Sequence, residues 1–199
     1  IIFINELIKN KTMIKYNLKL IGGSMFLLAS LFFVSCQKDN NSNKNTPVDQ
    51  SKLSEADKQS IVVIQNLLDN EHFFTQATAL GMERATKLEL KDFSTKANEG
   101  HSKSLEKIKA VCVDKGIEIP EKLSKNLNDK LYKLTVSNNA DFDNYYYQSL
   151  LSDYKANIDS LARFINENTY QNAQDILIEV TTVYNKNLDQ LDKTKKATN

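Results

Sequence analysis

From Ser54 to Leu191 the apolar residues recur three and four positions apart, and no stretch sustains the alternation of a half-buried strand. That period puts them on one face of a helix, so the chain must fold by burying several helical stripes against one another. Five glycines, two prolines and no tryptophan among 199 residues leave few breakpoints, which favours long helices over a turn-rich sheet. Ser54 followed by Asp57 makes a capping-box-like start for a first helix, with Ile61, Ile64, Leu67, Leu68 and Phe74 on one face. A second helix is expected from Thr86 to Lys115, with Leu105, Ile108, Val111 and Cys112 inward, Gly116 as its stop and Pro120 beyond. A short helix is expected over Ser124–Leu134. Asp141 is read as the cap of a long helix bearing Tyr147, Leu150, Leu151, Ile158, Leu161 and Ile165. Asn172 with Asp175 is read as the opening of the last, with Ile176, Val180, Val183, Leu188 and Leu191 inward. The expectation is an all-α four-helix bundle with one extra short helix, spanning residues 53–192.

The region before the bundle reads as an address. Residues 1–12 precede the first methionine, Met13, where the start is expected. Lys15 and Lys19 then form a basic segment, followed by an apolar run from Leu20 to Val34 that is shorter than the roughly 20 residues of a membrane-spanning helix. Phe33-Val34-Ser35-Cys36 resembles a lipobox, with Phe33 where the pattern usually has Leu. Residues 1–35 are therefore expected to be a signal peptide and Cys36 a lipidated N-terminus. Residues 36–52, rich in Asn, Lys, Asp, Ser and Thr, cannot bury enough apolar area to fold and are expected to be a flexible spacer. The resemblance to bacterial lipoproteins implies two or three acyl chains on Cys36, and each buried methylene contributes about 0.8 kcal/mol to anchoring. Gln37 stands where an Asp would signal inner-membrane retention, so the expected address is the outer membrane, facing the periplasm or the surface.

Charge and cysteine content narrow the classes further. Twenty-six basic residues against 25 acidic ones give no basic footprint for nucleic acid. With Cys36 assigned to lipid, Cys112 stands alone between Val111 and Val113 and is read as a small buried apolar side chain. The Lys193, Lys195 and Lys196 end, residues 193–199, reads as a solvated basic tail, His72 as exposed, Tyr146 and Tyr147 as packing, and Tyr145 as solvated. No Ser-His-Asp arrangement, glycine-rich phosphate loop or Cys-x-x-Cys pair is present, so no catalytic residue is assigned.

Leu53-Ser54-Glu55-Ala56-Asp57, His101-Ser102-Lys103 before Leu105, the Lys115-Gly116-Ile117 to Pro120 turn, and Asp141-Phe142-Asp143 before Tyr146 together resemble domain-of-unknown-function family 4142. The likeness spans Leu53 to Leu191 and implies an exported, ferritin-like helical bundle associated with the outer membrane. It also implies a site pattern of Glu in the first helix, Asp-His in the second and fourth, and His in the last. Those positions hold Glu71, Gly100-His101, Asp153-Tyr154 and Asn187 here, so only Glu71, His101 and Asp153 keep the family residue type.

Helical spacing marks four of these positions independently. Glu71 follows Leu67 by four and precedes Phe74 by three; His101 precedes Leu105 by four; Tyr154 lies four from both Leu150 and Ile158; Asn187 lies four from both Val183 and Leu191. Glu71, His101, Tyr154 and Asn187 are therefore expected to form a polar layer in the core, one residue per long helix. Read structurally, the four bond to one another and set the register, because an unpaired buried polar group costs about 1–3 kcal/mol. The alternative is a degenerate ferritin-like metal or oxidase-type centre with Glu71 and His101 as ligands, although no Glu-x-x-His pair is present. The expected role is thus a non-enzymatic, lipid-anchored cell-envelope protein, structural or interactive, without cofactor. Its expected partners are the membrane, through Cys36, and an envelope protein. A metal-binding protein and an envelope ligand-binding module are the alternatives.

Overall fold

The structure is a computed structural model that describes residues 53–166 and 173–196. The expected signal peptide of residues 1–35, Cys36 and the rest of the expected spacer to residue 52, Asn172 and the side chains of Lys195 and Lys196 lie outside the described residues. Within them the chain forms five helices and no strand: α1 (Glu55–Arg84), α2 (Leu88–Lys115), α3 (Lys125–Val136), α4 (Asn139–Asn166) and α5 (Gln174–Lys196). Four are long and α3 is short, as the periodicity predicts. No described helix is long and apolar enough to cross a membrane.

The most extensive packing joins α1 to α2, then α4 to α5 and α2 to α5. Direct contact between α1 and α4 is sparse, and α3 lies over that seam, touching both. The core is continuous through Leu68, Phe73, Phe74, Ile108, Leu134, Phe142, Leu150, Leu177 and Leu191, each 0–1% exposed. Burying one such side chain contributes about 1.5–3 kcal/mol, so the stripes supply the main driving force. Cys112 is buried, as read from sequence, and burial raises its thiol pKa. His72 and Tyr145 are half-buried rather than exposed, because each lies at the margin of its helix's apolar face.

The helix ends show where local reading succeeds. Ser54 Oγ accepts from Asp57 N at 3.1 Å and donates to Asp57 Oδ2 at 2.6 Å, closing the expected cap of α1. Gly116 takes φ 62°, and the bonds Gly116 N–Val113 O (3.3 Å) and Ile117 N–Cys112 O (2.8 Å) complete a Schellman stop for α2. The cap of α4 is Asn138, not Asp141. Asn138 Oδ1 accepts from Asp141 N at 2.9 Å, its amide donates to Asp141 Oδ2 at 2.7 Å, and Asp141 is the third helical residue.

Two further caps come from other helices. α2 begins at Leu88 rather than Thr86, since Thr86 and Lys87 are drawn out of the helix by Asp143 of α4. Asp143 Oδ1 accepts from Thr86 N (2.9 Å), and its Oδ2 accepts from Thr86 Oγ1 (2.6 Å) and Lys87 N (3.0 Å). Lys87, the N-cap residue, offers no side-chain cap of its own, so Asp143 places the negative charge at the positive helix end. Arg84 does the converse at the end of α3. Its guanidinium donates to the carbonyls of Leu134 (2.7 Å), Thr135 (2.6 Å) and Ser137 (2.6 Å), and stacks over Phe142 at 4.6 Å. Beside this junction, Gly81 permits close approach of three helices: a Cβ there would stand 2.3 Å from Ser94 Oγ and 2.4 Å from Tyr146 OH.

Asp143→Ala removes three charge-assisted hydrogen bonds at once and is expected to lower unfolding stability by about 2–3 kcal/mol. Asp143→Asn, which can keep one or two of them, is expected to lose less. Urea titration monitored by circular dichroism measures both.

Candidate functional site

The predicted polar layer exists, and its four members meet. α1 supplies Glu71, α2 His101, α4 Tyr154 and α5 Asn187; the first three are 0% exposed and Asn187 3%. His101 Nδ1 lies 2.8 Å from Glu71 Oε2, and Nε2 lies 2.8 Å from the Tyr154 hydroxyl and 3.0 Å from Asn187 Nδ2. The Asn187 amide is also 3.5 Å from the Tyr154 oxygen. In this orientation the amide nitrogen has only hydrogens to offer, so Nε2 acts as acceptor and Nδ1 carries the proton given to Glu71. The tyrosine hydroxyl then donates to Nε2. Proton direction is consistent through the chain, from Asn187 and Tyr154 to His101 and from His101 to Glu71.

Aromatic rings brace the layer. Phe74 stacks on His101 (4.7 Å, 14° between planes) and on Tyr154 (4.6 Å, 9°), fixing both rings in nearly parallel planes. Tyr184, buried on α5, meets Phe74 edge-on at 5.2 Å and stands 5.8 Å from the rings of His101 and Tyr154. Its hydroxyl stands beside Glu71, but the contact falls short of a regular hydrogen bond, and Glu71 Oε1 and Tyr184 OH are both otherwise unpaired. Of the α5 stripe expected from sequence, Val180 and Leu191 are buried and Ile176, Val183 and Leu188 half-buried, and the expected stripe does not include Tyr184. The signal was available: Tyr184 follows Val180 by four and precedes Asn187 by three and Leu191 by seven.

Burial is the largest reason that the Tyr154 phenol is held well above its ordinary pKa, with the neighbouring Tyr146 phenol and the Glu71 carboxylate next and the Asn187 hydrogen bond opposing. For Tyr184 burial again leads, followed by the charge of Glu71 and donation toward its carboxylate. Tyr146, bonded to Ser94 at 2.8 Å, is raised mainly by burial. Each phenol therefore keeps its proton. A Glu-His-Tyr chain is a layout that could activate a hydroxyl, but here no reacting atom faces solvent and the hydroxyl is the group least able to ionise.

The donor set fits a metal poorly. Asp153, the third residue of the family type, is 7% exposed and turned away, ion-paired with Lys130 of α3. Among the described residues no group of three or more His, Cys, Asp and Glu side chains stands close enough to hold a metal. Both ring nitrogens of His101 are engaged, so coordination would require breaking one of the layer's bonds.

The family model described as Domain of unknown function (DUF4142) matches residues 42–194. The chain belongs to that family. No curated protein and no solved structure matches the chain. For this DUF4142 domain the layer joins all four long helices around a single histidine, with Tyr154 of α4 and Asn187 of α5 as its hydrogen-bonding partners.

Two outcomes follow. His101→Ala leaves the Glu71 carboxylate buried without its partner and is expected to cost about 3–5 kcal/mol in urea denaturation. Alkaline pH gives a separate signature. Tyr146, Tyr154 and Tyr184 have folded pKa values above their unfolded value of about 10, so the folded state binds more protons once pH exceeds that value. Stability is thus independent of these groups below pH about 10 and falls above it by about 1.4 kcal/mol per pH unit for each. Tyr184→Phe is expected to remove one such contribution from the slope measured between about pH 9 and pH 11.

Proposed function

We propose that this protein is a non-enzymatic, lipid-anchored component of the bacterial cell envelope, whose bundle serves a structural or interaction role at the outer membrane. The observation that carries the reading is the closure of the polar layer: Glu71, His101 and Tyr154 are wholly buried and bonded to one another. Such a layer stabilises one register of four helices and offers no access to a substrate. The anchor rests on Ser35-Cys36 behind the apolar run and on the polar spacer of residues 36–52, which would hold the bundle clear of the lipid surface.

The test has two parts. In a bacterial host supplied with labelled palmitate, the full chain is expected to take up label and sediment with outer membranes, and Cys36→Ser is expected to lose both. Elemental analysis of the same protein, purified without chelator or metal-affinity tag, is expected to find no stoichiometric metal. Metal that is present in the native protein and lost in His101→Ala would overturn the structural reading in favour of a metal centre.

A further inference from the structure

The seam between α1 and α4 is covered along only part of its length. α3 starts beside Asp69, whose Oδ1 accepts from Ser124 N at 3.1 Å, and ends at Arg84, so it follows the second half of α1. On α4 it reaches Asp153 through Lys130 and Asn139 through the Arg84 junction. Beyond the start of α3 no described residue covers the seam, and a pocket of about 160 Å³ lies between α1, α4 and α5.

The lining of this pocket is distinctive. Three amides (Asn66, Asn70 and Asn157) and the Ser160 hydroxyl contribute polar groups, and Phe164 and Tyr184 contribute rings among aliphatic side chains. No ionisable carboxylate, lysine, arginine or histidine lines it. Asn70 and Asn157 each donate one amide hydrogen to a backbone carbonyl of their own helix, Asn66 O at 2.8 Å and Asp153 O at 2.9 Å. That leaves each Oδ1 and a second N–H uncommitted. Tyr184 joins the pocket to the buried layer through its ring, its hydroxyl standing beside Glu71.

Size and chemistry together select a ligand class. A cavity of about 150 Å³ holds a bare six-membered ring, so in a pocket of this size a hydroxylated ring seats with part of its rim at the mouth. A charged ligand would find no counter-ion on these walls, and an apolar one would strip water from three amides and a hydroxyl without replacing their hydrogen bonds. Amides and a hydroxyl around apolar walls match a ring that is hydroxylated on its rim and aliphatic on its faces. We propose that the pocket between α1 and α4 binds a small uncharged polyhydroxylated ring of the size of a single pyranose. The site does not depend on the lipid anchor and goes beyond a purely structural role.

Saturation-transfer NMR on the full chain, in a detergent without a sugar headgroup, tests this with glucose, galactose, mannose and myo-inositol. Phenol, acetate and choline serve as apolar, anionic and cationic controls. At least one polyol is expected to bind in the millimolar range, and Asn70→Ala and Asn157→Ala are each expected to weaken it about tenfold without shifting the melting temperature. Leu161→Trp, which fills the pocket, is expected to abolish binding. If that variant fails to fold, the two alanine variants decide. The proposal is overturned if no polyol binds the folded protein, if only phenol or an ion binds, or if polyol binding is unchanged in both alanine variants.

Discussion

A fully buried imidazole needs a partner for each ring nitrogen, and in this bundle the partners come from three other helices. His101 on α2 reaches Glu71 on α1 through Nδ1, and Tyr154 on α4 and Asn187 on α5 through Nε2. Each bond constrains one helix relative to α2, so axial register and rotation of all four are set at one level. The low dielectric of the interior strengthens this coupling, since a partner lost there is not replaced by water. Phe74 adds a flat apolar floor beneath His101 and Tyr154, holding the rings in the planes that the hydrogen bonds require. The apolar stripes drive association, but ridges of aliphatic side chains tolerate sliding that directional bonds do not.

The same logic extends to the helix ends. Asp143 caps α2 from α4, Arg84 caps α3 from α1, and Asp69 receives the backbone at the start of α3. Carboxylates sit at positive ends and the guanidinium at a negative one, the signs that the helix dipole favours. Because these caps are supplied across the fold, helix α3 is tied at both ends and becomes a strap over the α1–α4 seam. The strap is shorter than the seam, and the remaining gap is the pocket beside Tyr184. A buried polar layer and a polar pocket therefore lie next to one another, one bonded through His101 and the other lined by uncommitted amides.

Membership in the DUF4142 family supplies no chemistry. The layer in this chain has one histidine and one glutamate, and Tyr154 and Asn187 are polar groups of weak metal-ligating power. Phenols whose protons are held by burial are suited to bonding and poorly suited to coordination or general-base chemistry at neutral pH. What remains for function is the bundle surface and the seam pocket.

Much of this was legible in the one-dimensional pattern. The 3.6-residue period determined the helices. Ser54 with Asp57 and Gly116 determined two ends, and the placement of Glu71, His101, Tyr154 and Asn187 on apolar stripes determined that they would point inward. These features depend on residues within one or two turns of each other, so spacing alone expresses them. What tertiary structure decided was pairing over long separations: that Asp153 turns to Lys130 rather than to His101, that Asp143 delays the start of α2 to Leu88, and that Tyr184, inward by its spacing, meets Phe74 and Glu71. Asn138, a local cap, could have been read from the Asn-x-x-Asp spacing that instead suggested Asp141. The other three depend on which helix lies opposite, and helical periodicity gives a direction for each side chain but no identity for what it meets.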